Sequence, residues 1–328
     1  MGIKLGCVAK FAGAVSIFGL GACTERSSKE HSENEDPGIS RGGTEETGAD
    51  PDTDTGNKPQ VFDFGSGGTG EGINSQDSPG CKKVDVVIAV DNSGSMVEEI
   101  AALRGPVFDS FPATLLEVGE GLEDFRLAVI DACNQPAAFH NWGTGGSCSF
   151  STGNNYMVST SEALLDEYSC VMNLTTAGYQ GQEDGCSGND DDEQPANTAA
   201  TALTQPLLDG TNGSFLRDDA VLFVVAITDE DEQANPARSA QEIADALIDA
   251  KGSIDRVVFL GIGGGQPDFC EGAYGTAEPA PILQAVAKVF SDQERGLFWD
   301  LCGGSLEEAF AAGLKIVDDA CDEFEPIG

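Results

Sequence analysis

Five short apolar runs, Val84–Val90, Phe125–Ile130, Ala220–Ile227, Arg256–Ile262 and Gly296–Leu301, are each bounded by polar residues or glycine. Runs of this length that lack strict polar alternation read as strands covered on both faces. The stretches between them carry apolar residues at helical spacing. Ile100, Leu103 and Val107 share one face of the first, which Arg104-Gly105-Pro106 should kink, because proline removes a donor and clashes with the preceding turn. Ser239 with Glu242 forms a capping box ahead of Ile243, Leu247 and Ala250, and Gly252 ends that helix. Ser305 with Glu308 repeats the device before Leu306, Phe310, Gly313 and Val317. Strand and helix in alternation predict an α/β fold with a doubly wound, mainly parallel, Rossmann-like sheet, in one domain spanning residues 81–325.

The segment 132–192 breaks this rhythm. It is rich in Gly, Asn and Ser, holds four cysteines and contains one predicted helix, Ser161–Leu174. It is expected to be a disulfide-pinned insertion on the loop side of the sheet, a position that suits recognition better than core support.

Upstream of the domain the composition changes. Residues 1–23 carry Lys4 and Lys10, then the apolar stretch FAGAVSIFGLGA, and close on Leu20-Gly21-Ala22-Cys23. That ending resembles the lipobox of bacterial lipoproteins, whose cysteine becomes the lipidated first residue of the mature chain. The resemblance implies a signal peptide over 1–23, lipidation at Cys23, and an exported protein anchored to a bacterial membrane. Residues 24–80 are dominated by Glu, Asp, Ser, Gly, Thr and Pro, and cannot bury enough apolar surface to offset their ordering entropy. An acidic, disordered linker is expected there, with a coil dimension of about 40 Å.

The formal net charge of −39 argues against nucleic acid as a partner, since binding phosphates takes Lys and Arg to displace counterions. Export also decides how the cysteines read. Setting aside Cys7 and Cys23 leaves an even set, Cys81, Cys133, Cys148, Cys170, Cys186, Cys270, Cys302 and Cys321, which points to disulfides in an oxidising compartment. Sequence alone does not choose the connectivity. The working expectation pairs Cys81 with Cys321, Cys133 with Cys148, Cys170 with Cys186, and Cys270 with Cys302. With no CxxC spacing and His140 the sole histidine of the domain, a structural zinc site lacks ligands.

Chemistry gathers at the strand ends. Val84–Val90 runs directly into Asp91-Asn92-Ser93-Gly94-Ser95, and Ala220–Ile227 runs into Thr228-Asp229-Glu230-Asp231-Glu232. In open α/β sheets, ligands sit beyond the carboxyl ends of strands where the strand order reverses. If these two strands are neighbours there, Asp91, Ser93, Ser95 and Asp229 converge. Carboxylate and hydroxyl oxygens without thiol or imidazole suit hard cations such as Mg²⁺, Mn²⁺ or Ca²⁺. A capped turn without metal is the plainer reading of the same residues.

Asp91 to Ser95 fits the DxSxS motif of von Willebrand factor A domains, and Ile227-Thr228-Asp229 resembles their later aspartate-bearing loop. The resemblance runs from Cys81 to about Phe324. It implies a metal-ion-dependent adhesion site in which Asp91 and Asp229 act directly or through water, and in which a partner carboxylate completes the shell. It also implies the Cys81–Cys321 bridge between the chain ends, and a last helix, Ser305 to Cys321, that slides when affinity switches, a movement such a bridge would restrict. The family's threonine loop has no clear counterpart. Pro195 suits a first helical turn and would carry Thr198 too far along the helix, so Asp190 or Asp191 stands nearer the expected place.

The function this implies is a membrane-anchored binding or adhesion module engaging a protein or polysaccharide through a divalent ion. A structural envelope lipoprotein with a silent metal site is the alternative. A metal-assisted hydrolase using Asp231 or Glu232 as base is a further one. Nucleophilic hydrolysis has little support, because His140 lies in the insertion and no GxSxG occurs. Gly261 to Gln266 lacks the third spaced glycine of a dinucleotide loop and is expected to be flexible.

Overall fold

The computed structural model describes residues 81–118, 122–132, 137–143, 145–174, 193–233 and 238–324. The expected signal peptide, Cys23, the linker, Cys133, Cys186, Asp190 and Asp191 lie outside them. In chain order the strands are β1 (Lys83–Val90), β2 (Asp124–Asp131), β3 (Trp142–Gly143), β4 (Gly146–Ser147), β5 (Met157–Val158), β6 (Val221–Ile227), β7 (Val257–Gly263), β8 (Cys270–Gly272), β9 (Gly275–Ala277) and β10 (Gly296–Asp300). The α-helices are α1 (Val97–Ala102), α2 (Phe108–Leu116), α3 (Leu164–Val171), α4 (Pro195–Ala202), α5 (Gln205–Leu208), α6 (Ala240–Lys251), α7 (Pro281–Ser291) and α8 (Leu306–Asp322).

The central sheet has the order β10-β7-β6-β1-β2-β5. All pairings are parallel except β2 with β5. The chain builds outward from β1 through β2 to β5, then returns to the other side of β1 and continues through β6 and β7 to β10. The reversal falls between β1 and β6, where Val84 to Val90 pair in register with Val221 to Ile227.

Every residue of β6 and β7 is buried, as is β1 after Lys83, because helices cover both faces. The strand period of two divides the core. Val84, Val86, Ile88 and Val90 pack with Leu103, Phe111, Leu115, Phe310, Leu314 and Val317 on one face. Val87 and Ala89 pack with Ala199, Ile243, Leu247, Leu283 and Phe290 on the other. Gly313 lets α8 approach closely, since a Cβ there would lie 2.8 Å from Phe223 Cζ.

Local signals act as anticipated at several ends. At α6, Ser239 and Glu242 complete the capping box and Gly252 closes the helix in the left-handed conformation. At α8, the Ser305 hydroxyl oxygen accepts from the Glu308 N–H. Between α1 and α2 the chain makes a π-helical segment, Leu103–Val107, in which Gly105 leaves helical geometry altogether.

Three expectations need correction. The predicted helix over Ser161–Leu174 is confined to α3, Leu164–Val171, because the Ser161 hydroxyl binds the Ala163 N–H and holds the preceding residues in a turn. The insertion is not purely a loop-side excursion either. β5 extends the main sheet antiparallel to β2, and Tyr168, Val171 and Met172 join the core. The glycines from Gly261 are close-packed rather than loose, since Gly261 to Gly263 finish β7 and a Cβ on Gly264 would lie 1.9 Å from the Glu278 carbonyl oxygen.

The disulfides also differ in part from expectation. Cys81–Cys321 and Cys270–Cys302 form, but Cys148 pairs with Cys170, so the expected pairings of Cys133 with Cys148 and Cys170 with Cys186 do not. Cys170 lies on α3, and the β3–β4 hairpin that carries Cys148 packs against that helix. That proximity follows from tertiary packing and not from the spacing of the cysteines. The three bridges found among the described residues fit an oxidising, extracytoplasmic compartment. Among the described residues no helix is long and apolar enough to cross a membrane.

Candidate functional site

β1 and β6 end side by side, and the Asp91 N–H donates to the Ile227 carbonyl at 2.9 Å, so the two loops that follow leave the sheet together. The Asp91 side chain is buried and both of its oxygens accept hydrogen bonds. Oδ1 takes the Ser93 N–H at 2.7 Å, and Oδ2 takes the Thr228 hydroxyl, also at 2.7 Å. The Ser93 and Ser95 hydroxyl oxygens are 3.0 Å apart, and the Ser95 hydroxyl donates to Asp229 Oδ1 at 3.1 Å. Because Ser95 gives its only proton to Asp229, Ser93 is the donor of the serine pair.

The structure thus links Asp91, Ser93, Ser95 and Asp229 in one hydrogen-bonded chain across the β1–β6 boundary, with the Ser93 backbone N–H joining Asp91 to the hydroxyl–carboxylate contacts of Ser93, Ser95 and Asp229. Gly94 and Ser95 are exposed while Asp91, Ser93 and Asp229 are buried, so the cluster opens to solvent at its rim. Burial pushes the Asp91 carboxyl up to about 7, opposed by the Thr228 and Ser93 hydrogen bonds and reinforced by the nearby Asp229.

Two further buried polar residues, Thr228 and Glu99, were not singled out from the sequence. Thr228 orients Asp91, and its hydroxyl oxygen also accepts from the Glu230 N–H at 3.1 Å. Glu99, on the first turn of α1, is 1% exposed, and its Oε2 has no hydrogen-bond partner. Burial raises its carboxyl to about 8, and Asp229, Glu98 and Asp91 add repulsion. A sequence signal existed, since Met96, Glu99 and Leu103 fall at the i, i+3, i+7 spacing of an inward face.

The acidic run after β6 divides its labour. Asp229 faces the serines. Asp231 Oδ1 accepts the N–H groups of Ile282 (2.8 Å) and Leu283 (3.3 Å) in the first turn of α7. The Glu232 carboxylate accepts those of Ala196 and Asn197 in the first turn of α4. Carboxylates at helix amino ends satisfy otherwise orphaned donors, so these two side chains fasten helices to the sheet edge and are not held ready as bases. Thr198 is buried in α4 and donates its hydroxyl to the Ala132 carbonyl at 2.9 Å. Pro195 opens that helix, and Asp190 lies outside the described residues. His140 is paired with Asp131, with Nδ1 at 3.4 Å from Oδ2, and both side chains are nearly buried.

A second group of metal-ligating side chains, Cys270, Asp300 and Cys302, lies within ligand distance. Two of the three are joined in a disulfide, which removes the thiolates that would bind an ion, and Asp300 Oδ1 accepts the Cys302 N–H at 3.0 Å. That group is a crosslinked turn.

No family model and no curated protein matches the chain. Similar solved structures include the manganese-loaded TRAP protein of Plasmodium vivax, at 11% identity and TM-score 0.36, over 74% of this chain and 74% of that one. Proximal thread matrix protein 1 from the mussel byssus matches at 14% identity and TM-score 0.38, over 74% of this chain and 49% of its own. The pilus adhesin SpaC from Lactobacillus rhamnosus GG, in an open conformation, matches at 13% identity and TM-score 0.35, over 74% of this chain and 30% of its own. The fold described above stands on strand order and register, independently of these likenesses.

Proposed function

We propose that the chain is an exported binding module of the von Willebrand factor A type, tethered to a bacterial membrane through lipidated Cys23 and the 24–80 linker. In this reading Asp91, Ser93, Ser95 and Asp229 hold Mg²⁺, or Mn²⁺ or Ca²⁺ in its place, and Asp190 is the candidate from the remaining loop. The partner is a protein or polysaccharide bound at the carboxyl edge of the sheet, and no chemical turnover is involved.

The observation that carries the reading is the hydrogen-bonded chain from Asp91 through the Ser93 N–H, and from the Ser93 and Ser95 hydroxyls to Asp229, at an exposed rim. The side-chain atoms gathered there are all hard oxygens, which fits a small divalent cation and excludes a thiolate or imidazole site. The engagement of Asp231 and Glu232 as helix anchors weighs against the hydrolase alternative. The Cys81–Cys321 bridge ties the end of α8 to the start of β1, which favours a fixed site over one that switches by sliding that helix.

Titration calorimetry of Mg²⁺, Mn²⁺ and Ca²⁺ into the full chain tests the reading. The wild type is expected to give saturable heats that Asp91→Ala loses, since removing a ligating carboxylate lowers affinity by about 100-fold or more. Material retained by the immobilised chain in Mg²⁺ should be released by chelator, and Asp91→Ala should not retain it. Metal binding without any chelator-sensitive partner would favour the silent envelope protein.

A further inference from the structure

We propose that the outer edge of β10 is a docking site for an extended strand of a partner protein, apolar at its centre and basic at its ends, which would add to the central sheet. β7 and β6 lie between this edge and β1, so the site is separate from the oxygen cluster and does not depend on the cation reading.

β10 ends the sheet and pairs with β7 alone. The Phe259 N–H donates to the Arg295 carbonyl, and the Leu301 N–H to the Gly263 carbonyl, both at 2.9 Å. In a parallel ladder those two bonds fix the alternation. Leu297 and Trp299 turn their backbone groups to β7, while Gly296, Phe298 and Asp300 turn theirs outward. The Asp300 carbonyl accepts the Gly303 N–H at 2.9 Å. Among the described residues, the Gly296 carbonyl, both backbone groups of Phe298 and the Asp300 N–H have no hydrogen-bond partner. Gly296 to Trp299 are partly exposed and Asp300 is exposed, so this edge is open to solvent.

Open edges are normally blunted by proline, lysine, a bulge or very short length, because their unpaired groups are a template for another strand. At the opposite edge β5 is only two residues long. β10 has five residues, GLFWD, and carries none of these devices. Leu297 and Trp299 pack against the core on the α8 side and Phe298 against the core on the α7 side, each keeping part of its surface exposed. An added strand would cover that surface on both faces while completing the outward hydrogen bonds.

Charge at the two ends selects the partner. Glu294 is exposed in the turn before β10, whereas the adjacent Arg295 is buried and paired with Glu323. Asp300 is exposed at the other end, to which the Cys270–Cys302 bridge ties β8 and its exposed Glu271. A second copy of this chain would set acidic ends against acidic ends in either strand direction. A strand ending in Lys or Arg fits where self-pairing does not.

The test follows hydrogen exchange at single backbone amides of the full chain. Its probe is a synthetic peptide of alternating valine and threonine flanked by lysines, and the control is the same peptide flanked by glutamates. In the dilute chain alone, the Phe298 and Asp300 amides should exchange rapidly while those of Leu297 and Trp299 are protected. The lysine-flanked peptide, at about ten times its Kd, should slow Phe298 and Asp300 by about 10-fold and leave Leu297 and Trp299 as they were. The glutamate-flanked peptide should bind at least about 10-fold more weakly at low salt. Phe298→Pro removes the central outward donor without breaking the β7 ladder, and should abolish the peptide's effect on Asp300 while Leu297 and Trp299 stay protected. Should that variant unfold, the wild-type alternation and the comparison of the two peptides decide by themselves. Protection of Phe298 and Asp300 in the dilute chain, no slowing by the lysine-flanked peptide, equal affinity for both peptides, or undiminished binding by folded Phe298→Pro would each overturn the proposal. Protection that grows with chain concentration alone would make a second copy the occupant and overturn it too.

Discussion

Replacing Arg217 with alanine is expected to destabilise the domain by about 3 to 5 kcal/mol, the cost of stripping a buried charge of its partner. Arg217 sits in the loop before β6, at the end of the sheet opposite the oxygen cluster, and closes the amino ends of two strands. Its backbone N–H and Nε reach both oxygens of Asp85 at 2.7 Å, Nη2 reaches the Val84 carbonyl at 3.0 Å, and Nη1 pairs with Asp124. The Asp85 side chain has 0% exposure. Burial drives its carboxyl upward and the Arg217 guanidinium opposes that shift. Lysine would not restore the loss, because only the planar fork serves Asp85, Asp124 and Val84 together. In denaturant unfolding, Asp85→Asn combined with Arg217→Ala should lose less than the sum of the two single changes. Strict additivity would show that the pair is not coupled.

The second large effect belongs to the bridge between the chain ends. Cys81→Ala with Cys321→Ala should cost about 3 to 5 kcal/mol and lower the melting temperature by roughly 6 to 20 °C. The bridge closes a loop with a sequence separation of 240, against 22 for Cys148–Cys170, so the chain-entropy argument ranks it above the smaller bridge. Both its cysteines are buried in the core, and the Cys81 N–H also donates to the Cys321 carbonyl at 2.9 Å. Removing Cys148 and Cys170 together is the comparison. A smaller loss for Cys81 and Cys321 than for that pair would contradict the ranking.

The α/β architecture was legible because burial on both faces forces uninterrupted apolar runs, and those runs locate β1, β2, β6, β7 and β10 to within one residue of the expected spans at most ends. β5 was not legible, since two residues leave no period to read and its pairing with β2 depends on the insertion folding back. The Cys148–Cys170 bridge was hidden for a related reason, as it records how the β3–β4 hairpin packs against α3 within the folded insertion.

At the site, Asp91, Ser93 and Ser95 were visible as a local pattern, whereas their meeting with Asp229 required β1 and β6 to be neighbours, which strand order alone decides. Asp231 and Glu232 look no different from Asp229 in sequence. Their roles separate only when α7 and α4 present amino ends to them. Glu99 was masked by its setting, because an acidic residue in the first turn of a helix reads as a partner for the dipole until the structure shows it facing inward.

Anomalous diffraction at the manganese edge, from crystals of the full chain grown with Mn²⁺, tests the central claim most directly. One peak is expected within coordinating reach of the Ser93 and Ser95 hydroxyls, with Asp91 and Asp229 on its border. A peak elsewhere, such as beside Asp300, or an ordered cluster of these side chains with no manganese at saturating concentration, would contradict the account.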